Sequence, residues 1–141
     1  MANFEDAPKG LVELIYLGLD HGIKSIEDGG MLIPFVLIED NGERKIERFI
    51  TERIEEGVVK AMEYVKNLNP VPESVVVVHD GFLSKGDEKY DAIFAIGFDK
   101  NQDEGYVLAQ RYKPKTSDKP LEILGNVVYL GGEPNPAKTE K

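Results

Sequence analysis

The 141-residue chain contains no cysteine, and that absence removes thiol nucleophiles, disulfides, iron–sulfur clusters and thiolate zinc sites together. Basic residues are scarce: 17 Lys and Arg stand against 26 Asp and Glu, a formal charge of −9. A field of that sign repels DNA, RNA and anionic lipid, so no nucleic-acid or membrane partner is expected, while a basic protein surface stays compatible. Long apolar runs are missing too. The longest, residues 31–38, contains Pro34 and falls far short of the ~20 residues that span a bilayer. No basic-then-apolar leader precedes a small-residue cleavage pattern, and a soluble, cytoplasmic address is the simplest expectation.

The familiar catalytic templates are absent as well. There is no G-x-S-x-G elbow, no Walker loop, no dinucleotide-binding glycine fingerprint and no His-Glu-x-x-His helix, so no cofactor is expected. Ser25, Ser74, Ser84 and Ser117 lie in turn-like surroundings with no base placed beside them by sequence. Gly29-Gly30 and Gly131-Gly132 read as loop punctuation, since neither pair opens a helix that follows a strand.

What the chain does contain is a set of short apolar segments with turn signals between them. Val75 to Val78, Ala92 to Phe98 and Tyr106 to Ala109 are separated by polar, Gly-bearing connections, the pattern of an antiparallel meander. Before it, residues 31–39 and 44–50 read as a hairpin turned by Asp40-Asn41-Gly42. Ile46 and Ile50 share one face of its second strand and Lys45 and Glu47 the other. Pro34 cannot donate to a ladder, which puts it at an edge, a bulge or the start of its strand.

Two helices complete the set. The first is expected over the first twenty residues, with Leu11, Leu14, Ile15 and Leu19 on one stripe and His21-Gly22 as its end. The second spans 51–68, capped by Thr51, with Ile54, Val58, Ala61, Met62, Val65 and Leu68 as its buried stripe. A polar connection at 113–120 leads to a last strand over 121–130. The reading is one α+β domain over 1–130, order α-β-β-α-β-β-β-β, with a largely antiparallel sheet of about six strands and the 51–68 helix packed on it. Residues 131–141 read as a flexible tail.

Alternation within the Ala92 to Phe98 strand puts Phe94, Ile96 and Phe98 on one side and Ile93, Ala95 and Gly97 on the other, a bulky face backing a smooth one. The smooth side permits close approach by a helix, a ligand or a second subunit. Because several strands are apolar on both faces, two modest helices are too few to cover the sheet, and a homodimer is expected to supply the remainder.

Four places carry chemistry-bearing residues. His79 and Asp80 form the candidate catalytic pair, at what reads as the end of the Val75 strand. Successive strand side chains point to opposite faces, so the two meet only if the strand has already ended. A metal site would need both histidines, His21 and His79, plus Asp80 or Glu39 from separate elements, and nothing in the spacing gathers them. Asp99, Asn101 and Asp103 in the loop 99–105 space their oxygens as a calcium loop begins, yet Glu104 stands where the turn wants Gly and Gln110 where a bidentate carboxylate belongs. Arg111, Tyr112, Lys113 and Lys115, with Lys119, are the one basic concentration, and alternation sends Arg111 and Tyr112 to opposite faces.

The leading functional expectation is a non-catalytic, acidic binding protein, homodimeric, using sheet surface or meander loops. The first alternative is a small hydrolase or isomerase that uses His79 with a carboxylate from another strand, in a pocket over Ala95 and Gly97 lined by Tyr106 or Tyr112. The second is a calcium-binding module.

Overall fold

A computed structural model describes residues 3–137. After a single 3-10 turn, Phe4–Asp6, the elements are α1 (Lys9–Ile26), β1 (Phe35–Asp40), β2 (Glu43–Arg48), α2 (Ile54–Lys66), β3 (Ser74–Lys85), β4 (Glu88–Asp99), β5 (Glu104–Lys113) and β6 (Glu122–Pro134). They follow the order read from the sequence. All six strands lie in one antiparallel sheet, β2-β1-β3-β4-β5-β6.

The two faces of the sheet carry separate cores. On one, α1 buries Leu11, Leu14, Ile15, Leu19 and Ile26 against Phe35, Leu37, Val76, Val78, Ile93, Ala95 and Leu108. Each of these Leu, Ile, Val and Phe side chains contributes about 1.5–3 kcal/mol by leaving water. The approach is close because glycines stand on both sides of the contact. A Cβ on Gly97 would come within 2.7 Å of Ile15 Cδ1, one on Gly18 within 2.9 Å of Val78 Cγ2, and one on Gly22 within 3.0 Å of Ile93 Cγ2. The smooth side of β4 is the seat of a helix.

On the other face α2 sets Ala61 and Val65 on Val36, Ile38, Val75 and Val77, and its cluster reaches β4 at Ile96 and Phe98. Phe94, Val107 and Val128, farther along that face, stay half-buried.

Several boundaries differ from the sequence reading. Helix α1 does not end at His21-Gly22 but runs to Ile26, because Gly22 is a packing position inside it. Strand β1 begins after Pro34, whose carbonyl accepts from Phe49 N–H at 2.9 Å, so the proline marks the strand's start. The turn is as expected: Asn41 (φ 53°) and Gly42 (φ 80°) are both left-handed, as a two-residue hairpin loop requires. Ile50 lies beyond β2 and is 78% exposed, so it shares no buried face with Ile46. Thr51 does not cap α2. Its hydroxyl donates to the carbonyl of Arg53, and Arg53 occupies the cap position without a side-chain bond.

Strand β6 passes Leu130, where the sequence placed the start of the tail, and continues to Pro134. Asn135 follows and is buried, its amide donating to the carbonyls of Asp99 and Gln102 at 3.2 and 3.1 Å. Residues 138–141 of the expected tail lie outside the described part. Among the described residues, no helix is long and apolar enough to cross a membrane.

Candidate functional site

His79-Asp80-Gly81 does not close a strand. The residues sit in the middle of β3, sustained by β4 through the pairs His79–Phe94, Asp80–Ile93 and Gly81–Ala92. The pleat therefore holds, and His79 and Asp80 project from opposite faces. The His79 ring lies flat on Phe94, centroids 5.3 Å apart and planes 8° apart, on the α2 side. Its Nδ1–H donates to the Asp80 carbonyl at 2.9 Å. A carboxylate that feels its charge is Glu133 of β6, whose pKa burial raises and His79 lowers.

The pocket that His79 would need over Ala95 and Gly97 is filled by α1, with Ile15 against Gly97. Tyr106 and Tyr112 also belong to the α1 face, so neither lines a cleft with His79.

Asp80 has its own surroundings. One carboxylate oxygen accepts from the Tyr112 hydroxyl at 2.9 Å and from Gly81 N–H at 3.0 Å. Burial raises its pKa, the bonds from Tyr112 and Gly81 lower it in part, and Asp91 raises it again. The Tyr112 hydroxyl is pushed well above the ordinary phenol range, first by burial and then by the Asp80 carboxylate that its proton serves.

Strand register brings these groups together. Phe82 pairs with Asp91 across β3 and β4, and Asp91 with Tyr112 across β4 and β5, so all three share the face of Asp80. Strand β1 stops at Phe35, opposite Val78, and β3 runs on without it. The space it leaves is a cavity of about 270 Å³ lined by Met31, Leu32, Ile54, Glu55, Asp80, Gly81, Phe82 and Asp91. Its ionisable lining residues, Glu55, Asp80 and Asp91, are all acidic. At its rim Met31 is 74% and Phe82 62% exposed, and Lys89 already holds its ammonium 4.4 Å from the Phe82 ring centroid.

The remaining candidates are engaged elsewhere. His21 Nε2 lies 3.2 Å from an Arg48 guanidinium nitrogen, and its ring meets Phe35 edge-on. Arginine only donates, so His21 accepts there. Asp99 accepts from Asn101 N–H at 2.9 Å, and Asn135 N–H donates to the Asp103 carbonyl at 2.8 Å, which makes the loop 99–105 a backbone-bound hairpin connection. Among the described residues, no three His, Cys, Asp or Glu side chains gather as a metal ion requires. Arg111 lies over the Tyr90 ring at 5.1 Å while Tyr112 turns to Asp80, the opposite-face arrangement that alternation implies.

Sequence reasoning missed Asp91, Phe82, Met31 and Glu55. The signal for the first two was present in the hairpin tip: a two-residue turn centred on Gly86-Asp87 fixes Phe82 opposite Asp91. No family model, curated protein or solved structure matches the chain.

Proposed function

We propose that the protein is a non-catalytic binding protein whose cavity at the outer end of β3 receives a cationic group, a Lys or Arg side chain presented by a basic partner. One observation carries the reading: the cavity's ionisable lining residues are all acidic, Asp80, Asp91 and Glu55, beside the exposed Met31 and Phe82. A lysine or arginine has the matching build, an apolar stem for the Met31–Phe82 rim and a charged head for the acids. The ammonium of Lys89 over Phe82 is an intramolecular instance of that contact. The chain's charge of −9 steers a basic surface toward it. Chemistry by His79 with a carboxylate such as Glu133 finds less support, because the space over Ala95 and Gly97 is filled by α1, and Tyr106 and Tyr112 lie on the α1 side, opposite His79.

The test is calorimetric titration with short blocked peptides carrying a central lysine, against the same peptides with norleucine. Binding of the lysine form, weakened about tenfold by Asp91→Asn and by Phe82→Ala, supports the reading. Equal binding of both peptides, or indifference to the two substitutions, contradicts it. Lowering the pH through the raised Asp80 pKa protonates the site, so affinity is lost at a pH above that of an ordinary aspartate.

A further inference from the structure

The sheet has two outer edges, and they are built differently. At one, β2 reads Glu-Arg-Lys-Ile-Glu-Arg, five charged residues of six. Such an edge refuses another strand, because pairing would desolvate charge and set like charges side by side. At the other, β6 carries ten consecutive uncharged residues, Ile123 to Gly132, between Glu122 and Glu133. None of the thirteen residues of β6 is buried, its ladder is with β5 alone, and Ile123 and Leu130 are each 43% exposed. The face behind this edge is the one that α2 leaves half open, where Phe94, Val107 and Val128 stand.

We infer that β6 is a self-association edge and that its occupant is the β6 of a second copy, joined antiparallel about a two-fold axis. The net charge of −9 on each copy opposes this partner at long range, and the local composition of the edge is what favours it over a basic one. The stretch 123–132 is neutral within a chain of −9, so it offers a cationic surface nothing to hold, while two neutral stretches meet without local repulsion. Backbone N–H and C=O groups on the outer side of one strand are complementary to those of an identical strand run in the opposite sense. Two register shifts, opposite Val107/Leu108 and Ala109/Arg111, kink β6 into short runs. Those kinks disfavour long, flat pairing, and the apolar face beside them provides the rest of the contact. The charged β2 edge cannot extend the array, so association closes at two copies.

Sedimentation velocity over a wide concentration range tests this with the whole chain and with the double variant Ile123→Lys, Leu130→Lys. The wild type is expected to form dimers and the variant, with an unchanged circular dichroism spectrum, to dissociate about a hundredfold more readily. A wild type that stays monomeric throughout, one that grows beyond dimers, or a variant that dimerises as before overturns the inference. Should the variant not fold, hydrogen exchange on the wild type decides: β6 amide protection that rises with concentration supports the edge contact, and protection independent of concentration overturns it.

Discussion

The α1 face and the α2 face of one sheet are covered by different means, although neighbouring residues of the same strands supply both. On the α1 side, Gly18 and Gly22 meet Val78 and Ile93, and Gly97 meets Ile15, so the helix rests on the sheet at backbone distance. On the α2 side β4 presents Phe94, Ile96 and Phe98 in place of Ile93, Ala95 and Gly97, and the helix packs beside them over β1 and β3. Its own close contact goes elsewhere: a Cβ on Gly57 would stand 2.8 Å from the Phe49 carbonyl and 3.1 Å from Pro34 Cγ, in the connections that flank the sheet. Gly18, Gly22 and Gly57 thus mark where another chain segment passes close to a helix, whereas Gly10 at the start of α1 meets nothing. Along β4 coverage follows that geometry. Its smooth side, Ile93, Ala95 and Gly97, is buried, while the opposite side leaves Phe94 half-buried, as it does Val107 and Val128 on the neighbouring strands.

Truncation should break the comparison most visibly. Leu14→Ala empties a fully buried position under α1 and is expected to cost about 2–5 kcal/mol in chemical denaturation. Gly97→Val tests the same contact from the sheet side. The added atoms collide with Ile15 and Leu11, an overpacking expected to cost about 1–3 kcal/mol, and a neutral result would mean that α1 stands off the sheet.

A pH-dependent effect comes next in size. The Asp80 carboxyl binds its proton more tightly in the folded than in the unfolded chain, because burial disfavours the charge. Its contribution to stability is therefore present at acid pH and is lost as pH rises through the raised value. Asp80→Asn, which keeps an acceptor for Tyr112, is expected to raise the melting temperature at neutral pH relative to wild type and to flatten that part of the pH profile. A lower melting temperature for the variant at neutral pH would show that the charged form is the favoured one in the fold. Smallest of all, Val59→Ala on the outward side of α2, 58% exposed, should change stability by no more than about 0.5 kcal/mol.

The architecture was legible where local chemistry and global packing agree. Asn41-Gly42 announces its hairpin, the alternation in β4 separates a smooth from a bulky face, and the element order follows from the spacing of apolar segments. Glycine was the chief source of error. Gly18 and Gly22 cost a helix propensity, which suggests weakness or an end, yet each is required by the sheet beneath it, a demand that no helix-only pattern contains. In the same way Asp80-Gly81 resembles a turn, and β4 overrides that preference by pairing through it.

The site was half legible. Asp80 stands out as a polar residue just past an apolar strand core, but its partners come from four other segments: Tyr112 from β5, Asp91 from β4, Glu55 from α2 and Met31 from the connection before β1. Their meeting is a consequence of register and of β1 stopping short of β3's end, and neither is written in any local spacing. His79 was singled out for its chemistry alone, and the pleat placed it on the far side of the sheet from Asp80 and Tyr112.

The unequal sealing of the two faces is most directly measured at adjacent positions of β4, where Ile93 is fully buried beneath α1 and Phe94 is half-buried on the other side. Denaturant unfolding of Ile93→Ala and Phe94→Ala should show the larger loss for the isoleucine, although phenylalanine is the larger side chain to remove. A Phe94→Ala loss equal to or greater than that of Ile93→Ala would contradict the account.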